Sequence, residues 1–251
     1  MKVITVWNMK GGVGKSTIAF NLAYNLSNKG KSVLVVDLDP QKNTASFLRR
    51  DLKDGKTIKE VLEGKRELKN SIFRSKYQNL DMVYGSRRLP YRFEDTFKLL
   101  QQVNSLKEDS KSSYDYVILD SAPAETELTY LALNCSDVLL TPIHLDQFCK
   151  DNLITVKEIY HEVISSTNST LRWNVCINEY VQNNRTQREI LDTLIDQYDY
   201  PFLNAAISKR SAVTSANASL KPVAQHRSRD KATIDFNELT EELESICKGE
   251  Y

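Results

Sequence analysis

Short, nearly uninterrupted hydrophobic runs alternate along this chain with longer segments of helical periodicity. Six runs have the length and composition of buried strands, at residues 3–7, 32–39, 80–84, 114–120, 137–142 and 173–178. Helical patterns lie between or after them, at residues 18–26, 57–63, 91–109, 124–134, 149–165 and 185–198. Strands that are apolar throughout are typical of parallel sheets covered on both sides. The pattern therefore predicts an α/β fold, with a doubly wound, mostly parallel sheet and helices on both faces.

A glycine-rich turn follows the first predicted strand and precedes the first predicted helix. It reads Lys-Gly-Gly-Val-Gly-Lys-Ser-Thr over residues 10–17. Glycines let successive backbone N–H groups close on phosphate oxygens, and a helix that starts at the turn adds a favourable dipole. In such a loop Lys15 reaches the β- and γ-phosphates, and the Ser16 hydroxyl ligates Mg²⁺. The turn predicts a P-loop nucleotide site formed by Gly11, Gly12, Val13, Gly14, Lys15, Ser16 and Thr17.

Two of the later predicted strands end in aspartates. Asp37 and Asp39 lie at the end of the second run, and Asp120 ends the fourth. In an open parallel sheet the carboxyl ends of the strands line the ligand crevice, so these acids are expected beside the glycine-rich turn. A carboxylate at such a position is the usual second contact of Mg²⁺, and we assign this role to Asp120. Of Asp37 and Asp39, only one need face the nucleotide.

The start of the turn departs from the general P-loop pattern G-x-x-x-x-G-K-[ST]. Met9 stands where that pattern has glycine, and a second lysine, Lys10, opens the loop. In this form the chain resembles the ParA/MinD-type ATPases, whose P-loops carry the same deviation. The resemblance implies that Lys10 reaches across a dimer interface to the nucleotide of the partner subunit.

The same resemblance covers the acids and the adenine side of the site. It implies that Asp39 orients or activates the attacking water, and that Asp37 supports the loop or the outer shell of the metal. The segments after the fifth and sixth strands would cradle adenine, which points to Pro142 and Asn178. An Asn amide pairs with a base edge, but Asn at a strand end is equally a turn former, and both interpretations stay open.

The charge changes abruptly in the last quarter of the chain. Residues 207–231 contain six basic residues and one acid, whereas residues 232–248 predict an acidic helix. Clustered cations bind DNA phosphates without reading bases, although such a run is often only a solvated surface. The segment also resembles the C-terminal region of the same family, with Ser208 and Ser215 in place of its Pro and Glu. The candidate DNA-binding residues are Lys209, Arg210, Arg227, Arg229, Arg185 and Arg188.

Composition narrows the function classes only slightly. The formal net charge of +1 gives no global indication of a nucleic-acid partner, and four scattered cysteines form neither a disulfide framework nor a zinc pattern. We expect one cytoplasmic domain over residues 1–251. Because the chain starts only a few residues before the turn, we expect no N-terminal helix-turn-helix domain, so any DNA binding would come from the ATPase domain.

Taken together, the resemblance implies a DNA partition ATPase. Mg-ATP would drive a sandwich homodimer that binds double-stranded DNA non-specifically on the nucleoid. A ParB-like centromere-binding partner would stimulate hydrolysis, which is weak without it, and release the dimer. One alternative is a related positioning ATPase for a protein cargo. Another is a MinD-like membrane ATPase, but those end in a basic amphipathic helix, and anionic lipid would repel the acidic helix predicted here.

Overall fold

The computed structural model describes residues 1–41, 43–48, 56–89, 97–108 and 114–250. Within these ranges eight strands form one sheet, in chain order β1 (Lys2–Val6), β2 (Val33–Leu38), β3 (Phe73–Arg74), β4 (Leu80–Val83), β5 (Tyr116–Ser121), β6 (Val138–Ile143), β7 (Arg172–Tyr180) and β8 (Ile207–Ser208). Across the sheet the order is β3-β4-β2-β5-β1-β6-β7-β8. Neighbouring strands run parallel, except that β3 is antiparallel to β4. The predicted doubly wound, mostly parallel sheet is confirmed.

Helices cover both faces of this sheet. In the described ranges they are α1 (Lys15–Asn28), α2 (Asn43–Leu48), α3 (Ile58–Leu62), α4 (Lys98–Glu108), α5 (Glu127–Asn134), α6 (Cys149–Ser166), α7 (Arg185–Gln197), α8 (Ser211–Ala218), α9 (Val223–His226) and α10 (Lys231–Lys248), with a 3-10 helix at Leu68–Ser71. The buried clusters place α1, α2 and α8 to α10 on one face, and α3 to α7 on the other. On β1, Ile4 and Val6 belong to the first face and Val3 to the second, as the twofold repeat of a strand requires; Trp7, directly after the strand, also belongs to the second.

The last helix is part of the core. Its apolar residues pack in the same buried cluster as α1; they are Phe236, Leu239, Leu243 and Ile246. At its rim, Lys29 Nζ lies 2.6 Å from Glu244 Oε2. The acidic helix predicted at residues 232–248 is present, and its apolar positions face the domain, except for the exposed Ile234. Among the described helices, none combines the length and the hydropathy that crossing a bilayer requires.

The hydrophobic pattern does not predict five short elements, namely β3, β8, α2, α8 and α9. β3 and β8 have only two residues each, and α2, α8 and α9 have four to eight residues with no clear apolar periodicity in the sequence. The helix predicted at residues 91–109 corresponds to α4, and residues 90–96 and 109 lie outside the described ranges. The helix predicted at residues 124–134 begins later, at Glu127, because Thr126 occupies its N-cap.

Candidate active site

The registers of three central strands bring the predicted site residues to one edge of the sheet. Val6, at the end of β1, pairs with Asp120 on β5, and Asp120 pairs in turn with Asp37 on β2. The chain passes from β1 into the glycine-rich turn, and α1 begins at Lys15. The turn and the two acids therefore meet where the parallel strands end, which is where open α/β sheets bind ligands.

The conformation of the turn depends on two of its glycines. Gly12 and Gly14 have φ angles of 77° and 93°, which residues with a Cβ rarely adopt. A Cβ on Gly14 would lie 2.3 Å from Asn178 Nδ2, so this glycine also permits a close approach of β7. The same Asn178 nitrogen donates a hydrogen bond to Val13 O at 2.9 Å. Asn178 therefore stabilises the turn through this hydrogen bond.

Lys15 is buried at the end of the turn. Its Nζ donates a hydrogen bond to Lys10 O at 2.9 Å. Burial lowers the pKa of the Lys15 amine, and the carboxylates of Asp120 and Asp39 oppose that shift. The ammonium group thus lies within the electrostatic reach of Asp39, the predicted catalytic acid, and of Asp120, the predicted magnesium ligand.

Asp120 combines two hydroxyl donors with one unpartnered oxygen. Thr44 Oγ1 donates to Asp120 Oδ2 at 2.5 Å, and the Ser16 side chain also donates to this carboxylate. Asp120 Oδ1 is buried and has no hydrogen-bond partner among the described residues. Burial raises the pKa of Asp120 to about 6, although the two hydroxyl bonds lower it.

The oxygen groups around Asp120 suit a magnesium ion. A buried acceptor without a donor is unfavourable, and a hard cation beside Asp120 Oδ1 would satisfy it. Mg²⁺ prefers oxygen ligands and is usually held by one or two carboxylates, with water and substrate phosphates in the other positions. One carboxylate and the Ser16 hydroxyl beside a phosphate-binding turn fit that requirement.

Asp37 is fully enclosed and holds the segment between β2 and α2. Its Oδ1 accepts from Asp39 N at 3.0 Å, and its Oδ2 accepts from Ala45 N at 2.9 Å. Burial raises the pKa of Asp37 well above its ordinary value, and the charge of Asp120 adds to this. With a backbone donor on each oxygen, the carboxylate suits loop support better than direct contact with a metal.

Among the described residues, one cavity borders the turn beside α2 and another beside β8. The α2 cavity has a volume of about 620 Å³, and its lining consists of Gly12, Gly14, Lys15, Ser16, Thr17, Asp39, Gln41, Asn43, Ser46, Phe47, Pro123 and Leu220. Asp39 lies here, and its Oδ1 accepts from Gln41 N at 2.8 Å. The β8 cavity has a volume of about 430 Å³ and is lined by Gly12, Gly14, Thr17, Asn178, Glu179, Ser208, Lys209, Arg210, Ser211, Val213, Thr214 and Asn217.

The two predicted adenine residues are placed differently. Asn178 lines the β8 cavity, next to the turn. Pro142 is not among the described residues that line either cavity, and its carbonyl oxygen accepts a hydrogen bond from Asn8 Nδ2 at 2.7 Å. Asn8 Oδ1 in turn accepts from Lys10 N at 2.8 Å. Pro142 is therefore connected to the start of the turn through Asn8.

Lys10 is held within its own protomer. Its Nζ forms an ion pair with Asp146 and lies 5.7 Å from the centroid of the Phe148 ring. Asp146 also accepts a hydrogen bond from Phe148 N at 3.0 Å, at the start of α6. The Lys10 side chain must leave Asp146 before it can reach another subunit.

The six predicted DNA-binding residues do not form one uniform surface. Lys209 Nζ lies 2.9 Å from Glu179 Oε2, and Arg210 Nε lies 3.5 Å from Asp230 Oδ1. On α7, Arg185 pairs with Glu189, and Arg188 donates to the backbone oxygen of Gln182. Arg227 and Arg229 are exposed between α9 and α10, and neither forms an ion pair within the described part of the chain.

The described residues that contact the site but were not predicted from the sequence include Thr44, Asp146 and Asn8. Thr44 donates to Asp120, Asp146 pairs with Lys10, and Asn8 connects the turn to β6. A hydroxyl soon after Asp39-Pro40 and an acid soon after Pro142 were visible signals, because both follow strands that end at the site. Their partners could not be identified, since these contacts join segments far apart in the chain.

Comparison with known proteins identifies the family. The sequence model of the AAA domain family AAA_31 matches residues 1–173, a range that includes the turn, Asp39 and Asp120. A relative is the virulence plasmid ParA family protein pGP5-D of Chlamydia psittaci. It is 28% identical over 250 residues, which cover 98% of this chain and 95% of the relative.

Solved structures share the fold. Cobyrinic acid a,c-diamide synthase from Mycobacterium smegmatis, with bound ADP and magnesium, superposes with a TM-score of 0.84 at 23% identity, over 100% of this chain and 97% of that one. A putative plasmid partition protein from Borrelia burgdorferi, bound to AMPPNP, gives a TM-score of 0.81 at 24% identity, over 98% and 99% of the two chains. At these identities the likeness concerns the fold alone. The family match shows that this chain belongs to the AAA_31 family, and together with the ParA relative it supports the predicted resemblance to the ParA/MinD-type partition ATPases.

Proposed function

We propose that this protein is a DNA-partition ATPase that hydrolyses ATP with Mg²⁺. The observation that carries the proposal is the position of Lys15, Ser16 and Asp120 around the glycine-rich turn, with Asp120 Oδ1 unpartnered among the described residues. In a member of this family, such a set is best explained as a site for a magnesium nucleotide. The ATP-bound form dimerises and binds DNA on the nucleoid, and a ParB-like centromere-binding partner stimulates hydrolysis.

In this proposal each residue around the turn has a separate role in phosphoryl transfer. Backbone N–H groups of residues 11–17 and the Lys15 ammonium hold the β- and γ-phosphates. Ser16 and Asp120 would hold Mg²⁺, which would supply positive charge beside the phosphates. Asp39 orients the attacking water from the α2 cavity, while Asp37 keeps the segment that carries Asp39 in place.

The nucleoside part of ATP occupies the β8 cavity in this proposal. This cavity continues from Gly12, Gly14 and Thr17 of the turn to Asn178 at the end of β7. Adenine lies beside Asn178, whose Nδ2 donates one hydrogen to Val13 O, so the carbonyl oxygen and the second amide hydrogen remain for the base. Pro142 supports the neighbouring strand end through Asn8.

Dimerisation brings a second cation to the nucleotide. Lys10 leaves Asp146 and approaches the phosphates bound by the partner subunit, where it neutralises developing charge in the manner of an arginine finger. Hydrolysis removes the γ-phosphate and with it the contact that favours the dimer.

The proposed DNA surface is centred on Arg227 and Arg229. Both are exposed, and neither is engaged in an ion pair among the described residues, so they are available to phosphates. Lys209, Arg210, Arg185 and Arg188 belong to the wider basic surface, but each already has a partner, so we expect smaller contributions from them.

Retention on random-sequence duplex DNA at low salt tests this proposal, with ATP–Mg²⁺, ADP–Mg²⁺ or no nucleotide. We expect retention only with ATP–Mg²⁺, a steep loss with added salt, and a loss in the Arg227→Ala/Arg229→Ala variant. The matched control is Arg185→Ala/Arg188→Ala, which removes two paired arginines and should bind more DNA than the first variant. If the wild type forms its ATP dimer and no DNA is retained in any condition, the DNA role is refuted. A positioning ATPase for a protein cargo then takes its place.

A further inference from the structure

Leu220 is an apolar residue in an unfavourable backbone conformation at the edge of the candidate site. Its φ angle of 50° lies in the left-handed region, where a Cβ clashes with the following carbonyl oxygen. The residue follows α8, and Lys221 N donates to Ala216 O at 3.0 Å. This bond closes the C-terminal cap of the helix at a position where glycine is the usual residue. A leucine here needs an explanation.

Burial within the protomer does not explain a leucine at this position, because Leu220 remains 42% exposed. The peptide is fixed from outside α8, since Lys76 Nζ donates to Leu220 O at 3.1 Å. Leu220 lines the α2 cavity together with Phe47 and Pro123, and polar groups of the turn line the same cavity. A triphosphate in that cavity is polar and negatively charged, so it is no partner for an alkyl side chain.

We propose that Leu220 packs against a second copy of this chain when two nucleotide sites face each other. The inference rests on the sandwich dimer of the proposed function. Lys15, Ser16 and Asp39 line the same cavity as Leu220, so a second protomer that closes over these groups also covers Leu220. The unfavourable backbone is then retained for a contact that exists only in the dimer, and an apolar rim excludes water from the phosphates.

A pair of substitutions at Leu220 tests this contact. Leu220→Asn removes the apolar side chain and places at this φ a residue that tolerates the left-handed region, whereas Leu220→Met keeps the apolar volume. We expect Leu220→Asn to raise the dimer dissociation constant about tenfold or more in the presence of Mg²⁺ and a non-hydrolysable ATP analogue. Leu220→Met should stay close to wild type. Sedimentation measures the dimer, and a fluorescent nucleotide measures binding to the protomer.

Two further measurements distinguish a dimer contact of Leu220 from a role in the stability of the protomer. Thermal unfolding of nucleotide-free Leu220→Asn should occur at the wild-type temperature or above it, and its affinity for the analogue as a monomer should be unchanged. Asn79→Gly is the control, because it replaces another residue with positive φ, at 57°, before β4. It should leave the dimer intact.

Normal dimerisation of Leu220→Asn beside a wild-type ATP dimer would overturn this inference and leave the proposed function standing. Weak dimerisation of Leu220→Met and Leu220→Asn alike, with lowered unfolding temperatures, would assign Leu220 to the stability of the protomer and would also overturn it. A wild type that forms no dimer with the analogue would refute the proposed sandwich, and this contact with it.

Discussion

Gly14 and Gly11 belong to the same turn, but the backbone constrains them differently. Gly14 has a φ of 93°, and an added Cβ would lie 2.3 Å from Asn178 Nδ2. We expect Gly14→Ala to lower the free energy of unfolding by about 1–3 kcal/mol, because it strains the backbone and disturbs the Asn178–Val13 hydrogen bond. Chemical denaturation of the nucleotide-free protein measures this loss.

Gly11→Ala is the matched control for that experiment. Its Cβ would meet no described atom within 4 Å, and its φ is not in the left-handed region. We expect the Gly11→Ala protein to unfold within about 0.5 kcal/mol of wild type, as surface substitutions usually do. Equal losses in the two variants would show that the contact with Asn178 does not limit this turn.

Asp120 makes the stability of the nucleotide-free protein depend on pH. Burial raises the pKa of Asp120 to about 6, above the ordinary value for an aspartate of about 3.9. Between these values the folded protein keeps a proton that the unfolded chain has lost, so this group lowers the free energy of unfolding as the pH rises. The decrease begins near pH 4 and is complete above about pH 6.

The variant Asp120→Asn removes this charge while keeping a side chain of the same shape. We expect it to lack the decrease between pH 4 and 6, and to unfold at a higher temperature than wild type at pH 7.5 without Mg²⁺ or nucleotide. Calorimetry at a series of pH values compares the two proteins. Parallel pH profiles would mean that Asp120 is not the group whose proton is lost.

The long elements could be predicted from the sequence, because their burial follows simple periodicities. The runs at residues 32–39 and 114–120 are apolar on both sides, and they form two adjacent central strands, β2 and β5. A two-residue strand such as β8 has no pattern of its own, and it exists because Ile207 pairs with Asn178 on β7. Such elements depend on tertiary contacts, which a local pattern does not contain.

In the candidate site, too, some residues could be predicted from the local sequence, whereas others depend on tertiary contacts. Lys15 and Ser16 could be located because strand, turn and helix are consecutive in the chain. The contact of Thr44 with Asp120 joins α2 to β5, and only the folded sheet brings them together. The number of basic residues in segment 207–231 also overstates how many cations are available to DNA, because Arg210 pairs with Asp230 and Lys231 pairs with Asp235. Pairing, rather than composition, decides which cations remain available.

In the proposed function, Lys10 links the activity of one protomer to the assembly of two. We expect Lys10→Ala to bind ATP but to lose the hydrolysis that increases with protein concentration, because the cation from the partner subunit is missing. The measurement is ATP turnover over a range of protein concentrations, with nucleotide affinity determined separately.

Asp146→Asn provides the control for Lys10. It removes the ion pair within the protomer, but Asn can still accept the hydrogen bond from Phe148 N just before α6. Its turnover should rise with protein concentration at least as steeply as that of wild type, since Lys10 no longer has to leave a carboxylate. Normal turnover in Lys10→Ala would refute the role of Lys10 between subunits.

The packing of α10 on α1 has a consequence for the synthesis of the protein. The turn and α1 are translated first, but α10, which covers the apolar face of α1, comes from residues 231–248. At ribosomal rates of about 5–20 residues per second, roughly 10–40 s separate the two helices. During this interval the nascent chain exposes the apolar side of α1 and is a client for chaperones. A newly made copy can therefore respond to ATP only after nearly all of its sequence has left the ribosome.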